Sequence, residues 1–296
     1  MRGPRFDRIV PLLTLILLGL GVVFLLELNT TLLIVQPDGW LPPFSVAWLL
    51  IGALALVTGI GVELIARAEE RLWRSGWTTT LSLRGRVIEL ALPLWILPML
   101  TPVAIFAFFR LFKGALATNA YLIVLLLTGL LLTIVLVAQH YLIAGQARSR
   151  QIARTILTLV AYVLAFAIFS AVTFNRYRTL YAITLIFPST LLLAADVLRG
   201  RVAAHWIVAG AIALIMVESY WVISYWPASF LLASVVLLVV LYLLLGLAQS
   251  AATVSGAGRL HLRGVAEYGL LGALAFVALL VAVAYLRTRN IDLRGP

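Results

Sequence analysis

Cysteine is absent from the 296 residues, which excludes disulfides, thiolate metal sites, cysteine-held iron–sulfur clusters and thiol catalysis. Charge is scarce as well. Only 11% of residues are charged, against roughly a quarter in an ordinary soluble domain, so an aqueous surface could not be clothed from this inventory. Lysine occurs once, at Lys113, beside 21 arginines, a bias read as the coding preference of a GC-rich bacterium. Histidine occurs three times. His140 and His205 could lie at similar depth, but nothing besides depth supports ligation of a haem between them, and neither a cofactor nor a metal is expected. Gly-rich nucleotide loops, zinc-protease helix motifs and serine nucleophile elbows are missing too.

What is present is apolar: 64% of the chain is hydrophobic, in nine runs. They fall at Ile9–Leu28, Phe44–Ala66, Ile88–Phe109, Ala120–Ala144, Thr155–Phe174, Leu180–Leu198, His205–Trp226, Ala228–Ala248 and Val265–Leu286. Each is close to the ~20 residues that cross a bilayer as an α-helix. The predicted fold class is all-α: a polytopic transmembrane helical bundle of about nine spans, forming a single membrane domain over residues 1–296 with no soluble domain. A basic flank at Arg2, Arg5 and Arg8 resembles that of a signal peptide, but the apolar run behind it is too long and lacks a small-residue cleavage site, so it is read as the first span.

The net charge of +11 would suggest nucleic acid in a soluble chain. Here the arginines are dispersed among short loops, no basic stripe with interleaved aromatics occurs, and nucleic acid is not expected as a partner. Their distribution instead sets orientation, because positive residues are retained on the cytoplasmic side. With the N-terminus inside, inner segments hold 15 Lys and Arg and outer segments 7, three of those in the C-terminal tail. The expectation is therefore the cytoplasmic membrane of a bacterium, N-terminus cytoplasmic and C-terminus external, with the bilayer and its anionic head groups as partners. Leu83-Arg84-Gly85-Arg86-Val87, Leu198-Arg199-Gly200-Arg201-Val202 and Leu262-Arg263-Gly264-Val265 echo one another before outgoing helices, and are read as cytoplasmic turns rather than fold repeats.

Several features bear on packing. Pro93, Pro98 and Pro102 should kink the third span, which lipid tolerates only where protein or water satisfies the freed carbonyls, so that helix is expected inside the bundle. Ala55 with Gly59, and Ala161, Ala165, Ala167 and Ala171, are small residues that permit close helix approach. The Leu/Val run from Ser234 to Leu245 is expected to face lipid.

Ionisable groups within a span are costly and call for a partner. Glu63 has Arg67, Glu89 has Arg86, Asp196 has Arg199 and Glu267 has Arg263 within four residues, and these read as structural anchors. Glu218 has no basic residue within four positions and lies eight residues, ~12 Å of helical rise, inside Trp226. It is a candidate substrate-binding group, expected in a cavity or an interhelical hydrogen bond. On the outer side, Glu27, Asp38, Arg110, Lys113, Arg176 and Arg178 could converge into a polar pocket for an anionic head group, and Glu27, Asp38, Arg110, Arg176 and Arg178 join Glu218 as candidate substrate-binding residues. The favoured reading is a non-enzymatic protein that binds or transports a small or lipidic substrate, with Glu218 and the proline-broken third helix in its pathway. Two alternatives stay open: a structural or assembly subunit of a larger membrane complex, and a polyprenyl-phosphate-dependent glycosyltransferase-like enzyme with Asp38 as base and Arg176 or Arg178 on the phosphate.

Overall fold

A computed structural model describes residues 6–28, 34–35, 44–67, 79–83, 86–111, 118–174, 179–202, 204–225 and 229–254. Eight helices among these residues are long and apolar enough to cross a bilayer. They are α1 (Phe6–Leu28), α2 (Val46–Arg67), α3 (Leu92–Arg110), α4 (Thr118–Ala144), α5 (Ala147–Phe174), α6 (Thr179–Leu198), α7 (His205–Ser224) and α8 (Phe230–Val254). The protein is thus a polytopic helical membrane protein, and the number of spans agrees roughly with the nine apolar runs. The ninth run, Val265–Leu286, lies outside the described residues.

Two short antiparallel hairpins accompany the helices. The first joins β1 (Ile34–Val35) to β2 (Phe44–Ser45), and the second joins β3 (Thr79–Leu83) to β4 (Arg86–Leu90). In the second, the register runs from Thr79 opposite Leu90 to Leu83 opposite Arg86. This corrects the expected start of the third span. Residues 88–90 belong to β4, and the helix begins at Leu92, with Pro93 in its first turn. Proline costs little there, because an amide in the first turn has no helical acceptor to lose.

The chain divides into two compact units, Met1–Val160 and Ala161–Pro296. In the first, α1 packs on α2 and α4, and α3 packs on α2 and α4, which closes a ring of four helices. Ile16, Leu20, Ile51, Leu97, Phe106 and Leu132 are fully buried. Close approach rests on glycine where α2 meets its neighbours. A Cβ on Gly59 would come within 2.8 Å of Met99 Sδ and 3.0 Å of Trp95, and one on Gly19 within 2.7 Å of Leu54. The Ala55 and Gly59 pair does face a helix, namely α3.

The third span is largely buried, as its prolines require, with Leu94, Leu97, Thr101, Ala104 and Phe106 all covered. Pro98 has no N–H, so the carbonyl of Leu94, four residues earlier, loses its helical donor. Gln139 on α4 supplies the missing bond, its amide Nε2 donating to Leu94 O at 2.9 Å. Both groups are buried, and the side chain restores from a neighbouring helix what the sequence of α3 removes.

In the second unit α6 packs on α7 and α8, and α7 also packs on α8. The later half of α5 meets α8 through Thr173, whose hydroxyl lies 2.9 Å from Ser234 Oγ and 3.2 Å from Phe230 O, with Phe174 edge-on to Phe230 beside it. Ala161, Ala165, Ala167 and Ala171 are buried. After α6, Gly200 takes φ 68°, and the amides of Arg201 and Val202 both donate to Leu198 O, at 3.0 and 3.1 Å. This left-handed position ends the helix in a turn, as read for that Arg-Gly pair. The lipid-facing reading of the Ser234–Leu245 run is corrected. Ser234, Leu237, Leu241 and Leu245 form a buried stripe at helical spacing, and it is α7, with 28% of its window covered, that is least covered among the described spans.

Candidate functional site

At the end of the first unit where α1 and α3 finish, each of the four helices contributes one aromatic ring. Tyr121 of α4 lies 5.6 Å from Phe24 of α1, Phe24 lies 5.9 Å from Phe106 of α3, and Phe106 meets Trp48 of α2 edge-on at 5.2 Å. Helical spacing then sets charge one turn beyond the rings: Glu27 follows Phe24 by three residues and Arg110 follows Phe106 by four. Arg110 Nε lies 3.1 Å from Glu27 Oε1, and its guanidinium carbon lies 5.6 Å from the centroid of the Trp48 ring. The site is an ion pair seated on an aromatic floor.

The electrostatics explain the pairing. Glu27 is 6% exposed and sits in the last turn of α1, where helix carbonyls already carry partial negative charge and a neighbouring cation offsets them. Arg110 sits in the last turn of α3, where a cation is favoured. Its side chain keeps 33% exposure, and Nε and the ring face are engaged by Glu27 and Trp48. An arginine fixed in this way is positioned to offer its terminal nitrogens to an anion in a planar fork.

A second buried acid organises the opposite end of the unit. Glu63 Oε1 accepts from Arg67 Nε at 3.1 Å, while Oε2 accepts from the backbone amide of Ala91 at 2.9 Å and from Trp95 Nε1 at 3.0 Å. The carboxylate therefore holds the start of α3, where a helix N-terminus favours negative charge. Reading Glu63 with Arg67 alone missed both other donors, which lie 28 and 32 residues away. In the second unit Asp196 pairs with Arg199 at 3.6 Å, and Arg201 bonds to Gln249.

Of the residues singled out in the sequence, the structure brings Glu27 and Arg110 together. Asp38, Lys113, Arg176 and Arg178 lie outside the described residues. Glu218 belongs to the second unit, whereas the proline-containing α3 belongs to the first. Contrary to the expectation of a cavity or an interhelical bond, its carboxyl is exposed on α7 among exposed apolar neighbours: Leu214, Ile215, Trp221 and Val222. It makes no hydrogen bond or ion pair with the described residues. Among the described residues, no three His, Asp or Glu side chains gather in a way that could hold a metal ion. Sequence reasoning also passed over Trp48 and Gln139. The signal for Gln139 was available: a lone amide deep in an apolar span, in a chain whose third span needs a donor.

No curated protein and no solved structure matches the chain. A family model described as "Protein of unknown function (DUF5656)" matches residues 12–282, and the chain belongs to that family.

Proposed function

We propose that this protein binds an anionic, lipidic ligand at the Glu27–Arg110 end of its first unit, as a binding or transport protein of a bacterial cytoplasmic membrane. The observation that carries the reading is the partly exposed Arg110 side chain, braced by a buried carboxylate and an indole. Such bracing lowers the entropy lost when the side chain takes up a phosphate. The distribution of Lys and Arg leads us to expect Asp38 and Lys113, which belong to the same stretch of chain, on the same external side. Glu218 is not required by this reading.

The test is lipid retention after extraction in mild detergent, followed by native mass spectrometry, with phosphatidylglycerol compared against phosphatidylcholine. Wild type is expected to retain the anionic lipid selectively. The variant to use is the double one, Glu27→Gln with Arg110→Gln, because removing only one partner strands the other charge. The double variant should fold and lose the selectivity by about ten-fold, the equivalent of one charge-assisted contact. Undiminished selectivity would overturn the assignment. Reporter fusions at Arg8 and Arg294 are expected to report opposite compartments, and same-side reporting would remove the external placement of the site.

A further inference from the structure

The exposed face of α7 poses a problem that the head-group site does not address. Ile207, Ala211, Leu214, Glu218, Trp221 and Tyr225 recur at alternating steps of four and three, so they form one stripe along the helix, and all six are exposed. Five of them suit contact with acyl chains or an apolar helix. Glu218 does not. It lies six residues, about 9 Å of rise, inside Ser224, where α7 ends, which is within the hydrocarbon layer.

Three other acids among the described helices meet this cost in one way. Glu27, Glu63 and Asp196 are each paired with an arginine, Arg110, Arg67 and Arg199 respectively. For Glu218 no such cation is in reach among the described residues of its unit. Arg199, Arg201 and His205 all lie at or before the far end of α7, and His205 is 13 residues, about 20 Å, away along the helix. A carboxyl at this depth without a partner is costly, and it marks the face of a helix that meets another polar group.

We propose that this face of α7 docks a transmembrane helix of another protein, one carrying an arginine or lysine about two turns inside its own end, and that the cation pairs with Glu218. Charge complementarity selects the occupant. Ala211, small and exposed on the same stripe two turns before Glu218, allows the two backbones to approach on the inner side of the charge pair. The inference is independent of the head-group site, which uses other residues in the other unit.

The absence of cysteine makes the test direct, since one introduced thiol is unique. Full-length protein with Ala204→Cys, labelled with a donor fluorophore, is reconstituted into phosphatidylcholine vesicles. Acceptor-labelled Leu-rich peptides of about 21 residues are added, one with a single arginine about seven residues from its end and one with leucine there. The arginine peptide is expected to associate about ten-fold more tightly than the leucine peptide, the scale of one interhelical polar contact in lipid. Glu218→Gln should abolish that preference and Glu218→Asp should keep part of it. Because the side chain is exposed, both variants are expected to fold, and unchanged thermal unfolding checks this. Equal binding of the two peptides would overturn the proposal, as would a preference that survives Glu218→Gln. Energy transfer between labelled copies of the protein that depends on Glu218 would also overturn it, by making a second copy the occupant.

Discussion

The two units solve the same problem, polar groups in hydrocarbon, with different means. The first buries full charges and satisfies them across helices: Glu27 on Arg110, Glu63 on Arg67, Ala91 and Trp95, and Gln139 on the carbonyl that Pro98 frees. The second pairs Asp196 with Arg199 at the end of α6, joins α5 to α8 with hydroxyls, Thr173 with Ser234, and leaves Glu218, within α7, on an exposed face. A hydroxyl can donate to a carbonyl of its own helix, as Ser234 does to Phe230 O at 2.6 Å, whereas a carboxylate has no proton to donate to one. Among the described residues, the first unit thus buries its acids in bonds that cross between helices, whereas the second keeps its ion pair within one helix end and leaves Glu218 exposed.

The sharpest way to break this contrast is Glu63→Ala. It leaves the Ala91 amide and the Trp95 indole without an acceptor in a buried site, and should cost about 3 kcal/mol, since each stranded donor is worth roughly 1–3. Reversible unfolding in mixed micelles measures it. A cost under about 1 kcal/mol would mean water replaces the carboxylate, and the first unit would lose its distinction. Next in size is Gly59→Val, which forces two methyl groups toward Met99 and Trp95 and should cost about 1–3 kcal/mol by overpacking.

A double-mutant cycle sharpens the account of α3. Gln139→Leu alone should destabilise by about 1–2 kcal/mol, because the Leu94 carbonyl is left bare. In a Pro98→Ala background, where the helix recovers its own donor, the same change should cost close to nothing, giving a coupling of about 1–2 kcal/mol. Additive effects would disprove the compensation. The smallest effect belongs to the second unit: Ser234→Ala should cost about 0.6 kcal/mol, the usual size of an interhelical hydroxyl bond in membranes. A loss there as large as that of Glu63→Ala would erase the difference between the units.

The helices were legible in the sequence because hydropathy is set residue by residue and the bilayer imposes one length on every span. Where boundaries moved, the cause was local chemistry that hydropathy does not see. α5 begins at Ala147 rather than Thr155, because Arg148, Arg150 and Arg154 are good helix formers though not apolar. The third span lost residues 88–90 to a hairpin. On α7, the isolation of Glu218 could be read from the absence of nearby arginine, but its exposure could not, since which face of α7 is covered depends on α6 and α8. Partners 28 to 45 residues apart, such as Glu63 with Ala91 and Gln139 with Leu94, leave no mark in local spacing.

The bond from Gln139 to Leu94 also has a meaning for biosynthesis. The carbonyl emerges from the ribosome 45 residues before the side chain that satisfies it. At about 5–20 residues per second, α3 waits roughly 2–9 s with a bare carbonyl, so it cannot be released into lipid as a finished helix. It must be retained beside the insertion machinery or in a watery environment until α4 arrives. The first unit should then leave that machinery as one assembled group of helices, and slowing translation between residues 111 and 139 should make α3 more vulnerable to degradation than any other span of the unit.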